Sequence, residues 1–145
     1  MTLKTVLLGA CSALAFAGMA SAETLTIATV NNGDMVRMQS LTSEFTKANP
    51  DIQVEWVTLE ENVLRERVTT DIAAGGGQYD IVTIGNYEVP IWAKQKWLLP
   101  LEGLGDKYDM DDLLPAIRGG LSMDGKLYAA PFYGESAMIM YRKDL

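Results

Sequence analysis

Beyond residue 22 the hydrophobic pattern switches between a period of two residues and one of three to four. Leu25 to Val30 alternates as a strand does and ends at Asn31-Asn32-Gly33, a loop cluster. Met35, Met38, Leu41, Phe45 and Ala48 then recur at helical spacing, which predicts one helix with Asn32 or Asp34 as its N-cap and Asn49-Pro50 as its end. Ile52 to Val57 predicts a second strand. Leu64, Val68 and Ile72 form the apolar stripe of a second helix, with Thr58 and Glu61 at capping-box spacing before it and Gly75 stopping it. Asp80 to Ile84 predicts a short third strand. Further on come a helix from about Val89 to Lys96 that can start at Pro90, an extended Trp97 to Leu101 and a short helix over Asp111 to Arg118. Leu121 to Ala130 reads as a hairpin, because Asp124-Gly125 is the dipeptide a two-residue type I′ turn prefers, and Ala137 to Tyr141 reads as a strand.

Three strands separated by two helical segments make two consecutive βαβ units. The expectation is an α/β fold with a parallel-rich sheet, helices flanking it and right-handed crossovers. Ligands of such sheets gather at the carboxyl ends of the strands. Here those ends are Asn31 to Asp34, Thr58 to Glu60, and Gly85-Asn86-Tyr87.

Residues 1–22 read as a leader. Lys4 supplies a positive start, Thr5 to Ala17 a short apolar run, and Ala20-Ser21-Ala22 a small-residue cleavage site. The run is too short for a membrane span, so an exported, periplasmic protein is expected. Cys11, the single cysteine, lies in this leader. Leu8-Gly9-Ala10-Cys11 is similar to a lipoprotein box, but cleavage there leaves an apolar run of only a few residues, so lipid anchoring is not expected. Cleavage before Glu23 removes Lys4, takes the formal charge from −7 to −8, and leaves no thiol for disulfides or catalysis.

Composition narrows the function classes. At 48% hydrophobic and 21% charged residues the chain has the material for one domain with a core, and disorder is not a serious option. No basic run tracks a phosphate backbone, which argues against nucleic acid as a partner. The absence of histidine removes the commonest general base and a common metal ligand. No cofactor and no metal are called for.

Three segments carry a resemblance. Ala28 to Asp34, Asp80 to Pro90, and Ala130 to Ser136 are similar, in order, to the extracellular solute-binding proteins of carbohydrate ABC transporters, and in particular to the polyol branch that handles sorbitol and mannitol. The resemblance covers essentially the whole chain after the leader. It implies a type II, two-lobed periplasmic binding protein that closes on its ligand. Residues 23–135 then correspond to the N-terminal lobe, and 136–145 to the start of the crossover into a second lobe lying beyond this sequence. The implied partners are a small neutral polyol or sugar and an inner-membrane ABC permease, the protein itself being a monomer and not an enzyme.

A polyol site needs planar polar groups that exchange paired hydrogen bonds, and aromatic faces for C–H edges. At the strand ends, Asn31 and Asn32 are candidate amide forks, or else turn and cap residues. Asp34 is either an N-cap or a hydroxyl acceptor. Glu60 can reach a ligand or favour a helix dipole. Asn86 and Tyr87 sit where the third strand opens, with a plain turn role as the alternative. Trp92 is a candidate stacking face or a core residue, and Trp97 a weaker one. Tyr133 and Glu135 fall at the expected hinge and cleft floor, where Glu135 alternatively makes a hinge salt bridge.

Other motifs are declined. Gly75-Gly76-Gly77 lacks the lysine of a phosphate loop and follows a helix, as a helix stop does. Gly134 to Met138 misses the last glycine of a nucleophile elbow. Asp106, Asp109, Asp111 and Asp112 lack the glycine and distal glutamate of a calcium loop. The alternatives to polyol capture are a secreted carbohydrate-active enzyme, which would pair two carboxylates across a cleft, and a binding protein for a non-sugar solute. An anionic solute calls for Arg or Lys at the strand ends, where Asn, Asp, Glu and Tyr stand instead.

Overall fold

The structure is a computed structural model that describes residues 22–105, 108–132, 134 and 138–144. Residues 1–21 of the expected leader, Tyr133 and Glu135 therefore lie outside the described residues, as does part of the expected crossover.

β1 (Glu23–Val30) is the middle strand of a three-stranded sheet with order β2-β1-β3. β2 (Ile52–Leu59) runs parallel to it over its whole length, from Glu23 opposite Ile52 to Val30 opposite Leu59. β3 (Ile81–Val82) pairs with it on the other side, also in parallel, at Ile27 and Ala28. Backbone bonds extend this ladder at both ends, Asp80 N–H to the Thr26 carbonyl at 2.9 Å and Thr83 N–H to the Ala28 carbonyl at 3.0 Å. The two-residue period of strands divides the sheet into two apolar faces. On one face Ala28, Val30, Leu59 and Val82 pack with Leu64 and Val68 of α3 (Glu61–Ala73) and with Trp92. On the other, Leu25, Ile27, Val54, Trp56 and Ile81 look toward α1 (Gly33–Ser40) and α2 (Thr42–Ala48) and line an apolar cavity of about 260 Å³ with Met38, Leu41 and Phe45.

The single helix expected over Met35 to Ala48 is thus two. Leu41 breaks it, its N–H bonded back to the Met38 carbonyl at 3.0 Å in a tightened turn, while the Ser40 hydroxyl donates to the Arg37 carbonyl at 2.6 Å. Two side-chain bonds hold the pieces to β2: Gln39 Nε2 donates to Thr58 Oγ1 at 3.0 Å, and Trp56 Nε1 donates to Thr42 Oγ1 at 2.8 Å. Thr58 consequently belongs to β2 and forms no capping box with Glu61, and Glu60 is the N-cap residue of α3.

α3 ends as its glycines require. Gly75, Gly76 and Gly77 all have positive φ, and the Gly76 N–H bonds to the Asp71 carbonyl at 2.7 Å. α4 (Glu88–Lys94) begins two residues before Pro90, and α5 (Pro115–Gly120) starts at Pro115, later than the predicted Asp111. Arg118 reaches back to the Met110 carbonyl at 3.2 Å and the Asp111 carboxylate at 3.0 Å, holding that stretch outside the helix. β4 (Ser122–Met123) and β5 (Lys126–Leu127) form the expected hairpin, with Asp124 and Gly125 both left-handed at φ 51° and 78°. Val89, Leu121 and Leu127 are the centre of a second core under this hairpin. Of the strand expected over Ala137 to Tyr141, the described residues Met138 to Tyr141 are exposed and in no strand, and Ala137 lies outside the described residues.

Candidate functional site

The crossover through α1 and α2 lies on one face of the sheet and the return through α3 on the other. The strand order therefore reverses at β1, and in open α/β sheets ligands usually sit in the crevice beyond the carboxyl ends of the strands at such a point, here those of β1 and β3. Asn31 to Asp34 leave β1 on one side of it, and Gly85 to Tyr87 leave β3 on the other.

Asn31 and Glu60, far apart in sequence, meet here: Asn31 Nδ2 donates to Glu60 Oε1 at 3.3 Å, and the Asn31 N–H bonds to the Leu59 carbonyl at 2.9 Å. Asn32 is the N-cap of α1, its Oδ1 accepting from the Met35 N–H at 2.9 Å, so one of its two amide atoms serves the helix. Asp34 is exposed in the first turn of α1 and lines a groove of about 300 Å³ with Arg37, Met38, Leu41 and Phe132. Arg37 and Phe132 had no signal in the sequence pattern, since only the fold brings residue 132 back to α1.

Tyr87 lies in the loop that follows β3, with 59% of its surface exposed. Arg65, which was not a sequence candidate, lies against it and is itself held by two carboxylates. The Arg65 guanidinium lies over its ring, 5.3 Å from the centroid. Arg65 also bonds Glu61 Oε1 at 2.6 Å and pairs with Glu88, whose Oε2 accepts from the Gly85 N–H at 2.7 Å. Glu88 is only 7% exposed, so its charge needs that partner. The hydrogen bond to Glu88, followed by the bond to Glu61, raises the Arg65 pKa, so the guanidinium stays charged although burial opposes it. This cation is paired with two carboxylates, Glu61 and Glu88. A glutamate three residues after a turn glycine was the one legible sign of this network, since it matches the reach-back of a capping box. The long-range pairing with Arg65 had none.

Asn86 is exposed beside Tyr87, its Nδ2 close to Gly120 of α5. Trp92 is a correction: its ring is 6% exposed, packs with Ala28, Leu64 and Val68, and meets Trp97 edge-on at 5.9 Å. The apolar stripe of α4 faces the core, so the indole is packing and not a stacking face. Tyr133 and Glu135 lie outside the described residues. Among the described residues no buried side-chain polar atom lacks a partner, and no helix is long and apolar enough to cross a membrane.

Residues 31–145 match the family of bacterial extracellular solute-binding proteins. A mannitol-binding protein of Pseudomonas aeruginosa is 56% identical over 144 residues, which is 99% of this chain and 33% of the relative. The chain thus spans about a third of the length of the curated relatives it matches. Among solved structures, an ABC transporter solute-binding protein from Agrobacterium vitis with bound D-mannitol is 69% identical, with a TM-score of 0.74 over 77% of this chain and 27% of that one. One from Agrobacterium radiobacter in complex with ribitol shares the fold at 22% identity and a TM-score of 0.69, over 78% of this chain and 29% of that one. The parallel sheet with its flanking helices is the α/β architecture of type II solute-binding proteins. By sequence and fold alike, this chain belongs to the bacterial extracellular solute-binding proteins.

Proposed function

We propose that this protein captures a sugar alcohol of the mannitol type in the periplasm and delivers it to an ABC permease in the inner membrane. One observation supports the reading: uncharged amides, a paired carboxylate and an exposed tyrosine stand at the carboxyl ends of the strands, in a chain 69% identical over 77% of its length to a solute-binding protein that holds D-mannitol. An alditol is uncharged and lined with hydroxyls, so amide and carboxylate groups match its polar edge and an aromatic ring its C–H edge. Asn31, Asn32, Asp34, Glu60, Asn86 and Tyr87 are the contacts we assign to the described lobe; Tyr133 and Glu135 are assigned to the cleft floor. In this reading residues 1–22 are a cleaved leader, 23–135 the first lobe and 136–145 the beginning of the crossover to a second lobe. The protein acts as a monomer, and lobe closure supplies the remaining contacts.

A melting-temperature panel of alditols, monosaccharides, amino acids and short peptides on the full-length protein tests this. Mannitol or sorbitol at about a hundred times its dissociation constant stabilises the folded state by about 2.7 kcal/mol. A shift with an amino acid or peptide and none with any alditol or sugar overturns the assignment, and turnover of a glycoside places the protein among enzymes.

A further inference from the structure

An aromatic ring exposed at a loop ordinarily samples several rotamers, and a ligand must then freeze one of them. Tyr87 differs because two neighbours, Gly85 and Arg65, restrict its ring while 59% of the residue stays exposed. A Cβ at Gly85 would stand 2.7 Å from Tyr87 Cε1 and 3.1 Å from Cδ1, so the ring lies across the bare Cα of Gly85 and any larger residue would push it away. The Arg65 guanidinium lies 5.3 Å from the ring centroid. Arg65 is itself fixed by Glu61 at 2.6 Å and by the ion pair with Glu88. Glu88 closes the loop by accepting from the Gly85 N–H at 2.7 Å. A planar guanidinium with two carboxylate partners has little freedom left, and it carries that rigidity onto the ring it covers.

We propose that Arg65, Gly85 and Glu88 form a clamp that presents the Tyr87 ring to the crevice in one orientation, with Arg65 a positioning residue for alditol binding. The inference rests on the reading of Tyr87 as a ligand contact. Arg65 sits in the second turn of α3, one strand and a loop away from Tyr87 in sequence, and touches the ligand only through the ring. The rest of the tyrosine surface, more than half of it, stays open for C–H edges of the ligand.

The test uses the full-length protein and its R65K, R65M, G85A, Y87A and R65M/Y87A variants. Mannitol affinity is measured by calorimetry, and the Tyr87 ring signal is followed in the ligand-free state by NMR of ring-labelled tyrosine. R65M is expected to raise the mannitol Kd about two- to fivefold, the range of a cation–ring contact at an exposed site. G85A is expected to raise it at least as much, and R65K, which keeps a cation for Glu88, to recover part of the loss. In the Y87A background R65M should change nothing further. Both R65M and G85A should shift the free-state Tyr87 signal. Equal weakening by R65M with and without Tyr87, or a Tyr87 signal unmoved by R65M and G85A, overturns the clamp. Should R65M fail to fold, R65K and G85A carry the same comparison. A wild-type protein that binds no alditol overturns the substrate assignment instead, and the ligand-free signal then decides the clamp alone.

Discussion

Two asparagines in one loop show how neighbouring residues of the same kind divide their work. Asn31 bonds Glu60 across the strand ends, whereas Asn32 caps α1 through the Met35 N–H. Replacing Asn32 by Ala is expected to lower stability by about 1 kcal/mol in urea unfolding, and Asn32→Ser to preserve it, since a hydroxyl can accept the same bond. Equal losses in both would show that the cap is not what Asn32 supplies. Trp92 makes the opposite case. With its indole in the core, Trp92→Ala should cost about 3–5 kcal/mol, while Trp92→Phe should leave mannitol affinity unchanged. A Phe variant of normal stability that binds mannitol weakly would return Trp92 to the ligand site. The Trp92 assignment turned on burial, which a tryptophan in an amphipathic pattern does not announce.

Element identity was legible wherever the local pattern and the chain's own chemistry agreed. β1 and β2 follow the alternation of Leu25 to Val30 and Ile52 to Val57, α3 the stripe Leu64, Val68 and Ile72, and the hairpin its Asp124-Gly125 turn. That turn is testable: Gly125 at φ 78° tolerates a side chain poorly, so Gly125→Ala should cost about 1–2 kcal/mol by thermal melting, and Asp124→Asn close to nothing. Comparable losses in both would mean that the Asp124 carboxylate, and not the backbone, sustains the hairpin. Boundaries were less legible, because contacts from other elements set them. Thr58 was assigned to the start of a helix on spacing alone, but Gln39 and the partner strand hold it in β2. Leu41 kept the helical period through a break that the Ser40 hydroxyl and the anchoring of Thr42 to Trp56 helped to set.

At the scale of the whole molecule the two faces of the sheet are unequally covered. α3 and α4 seal one, while the other keeps an apolar cavity between Leu25, Ile27, Trp56 and Phe45. A polypeptide of residues 23–145 should therefore enhance ANS fluorescence and respond weakly to mannitol, and the full-length protein should do the reverse. Tight mannitol binding by the shorter polypeptide would refute the two-lobe reading. The sequence by itself determined the class of fold and which loops lie at the carboxyl ends of the strands, because strand and helix periods are local and the alternation of the two prescribes a parallel sheet. Tertiary structure alone decided which strand-end residues meet and how they are held. Asn31 and Glu60 are 29 positions apart, and the Arg65 guanidinium over the Tyr87 ring joins a helix to a loop beyond the next strand. No local pattern encodes such contacts, since they exist only once the chain has brought its distant parts together.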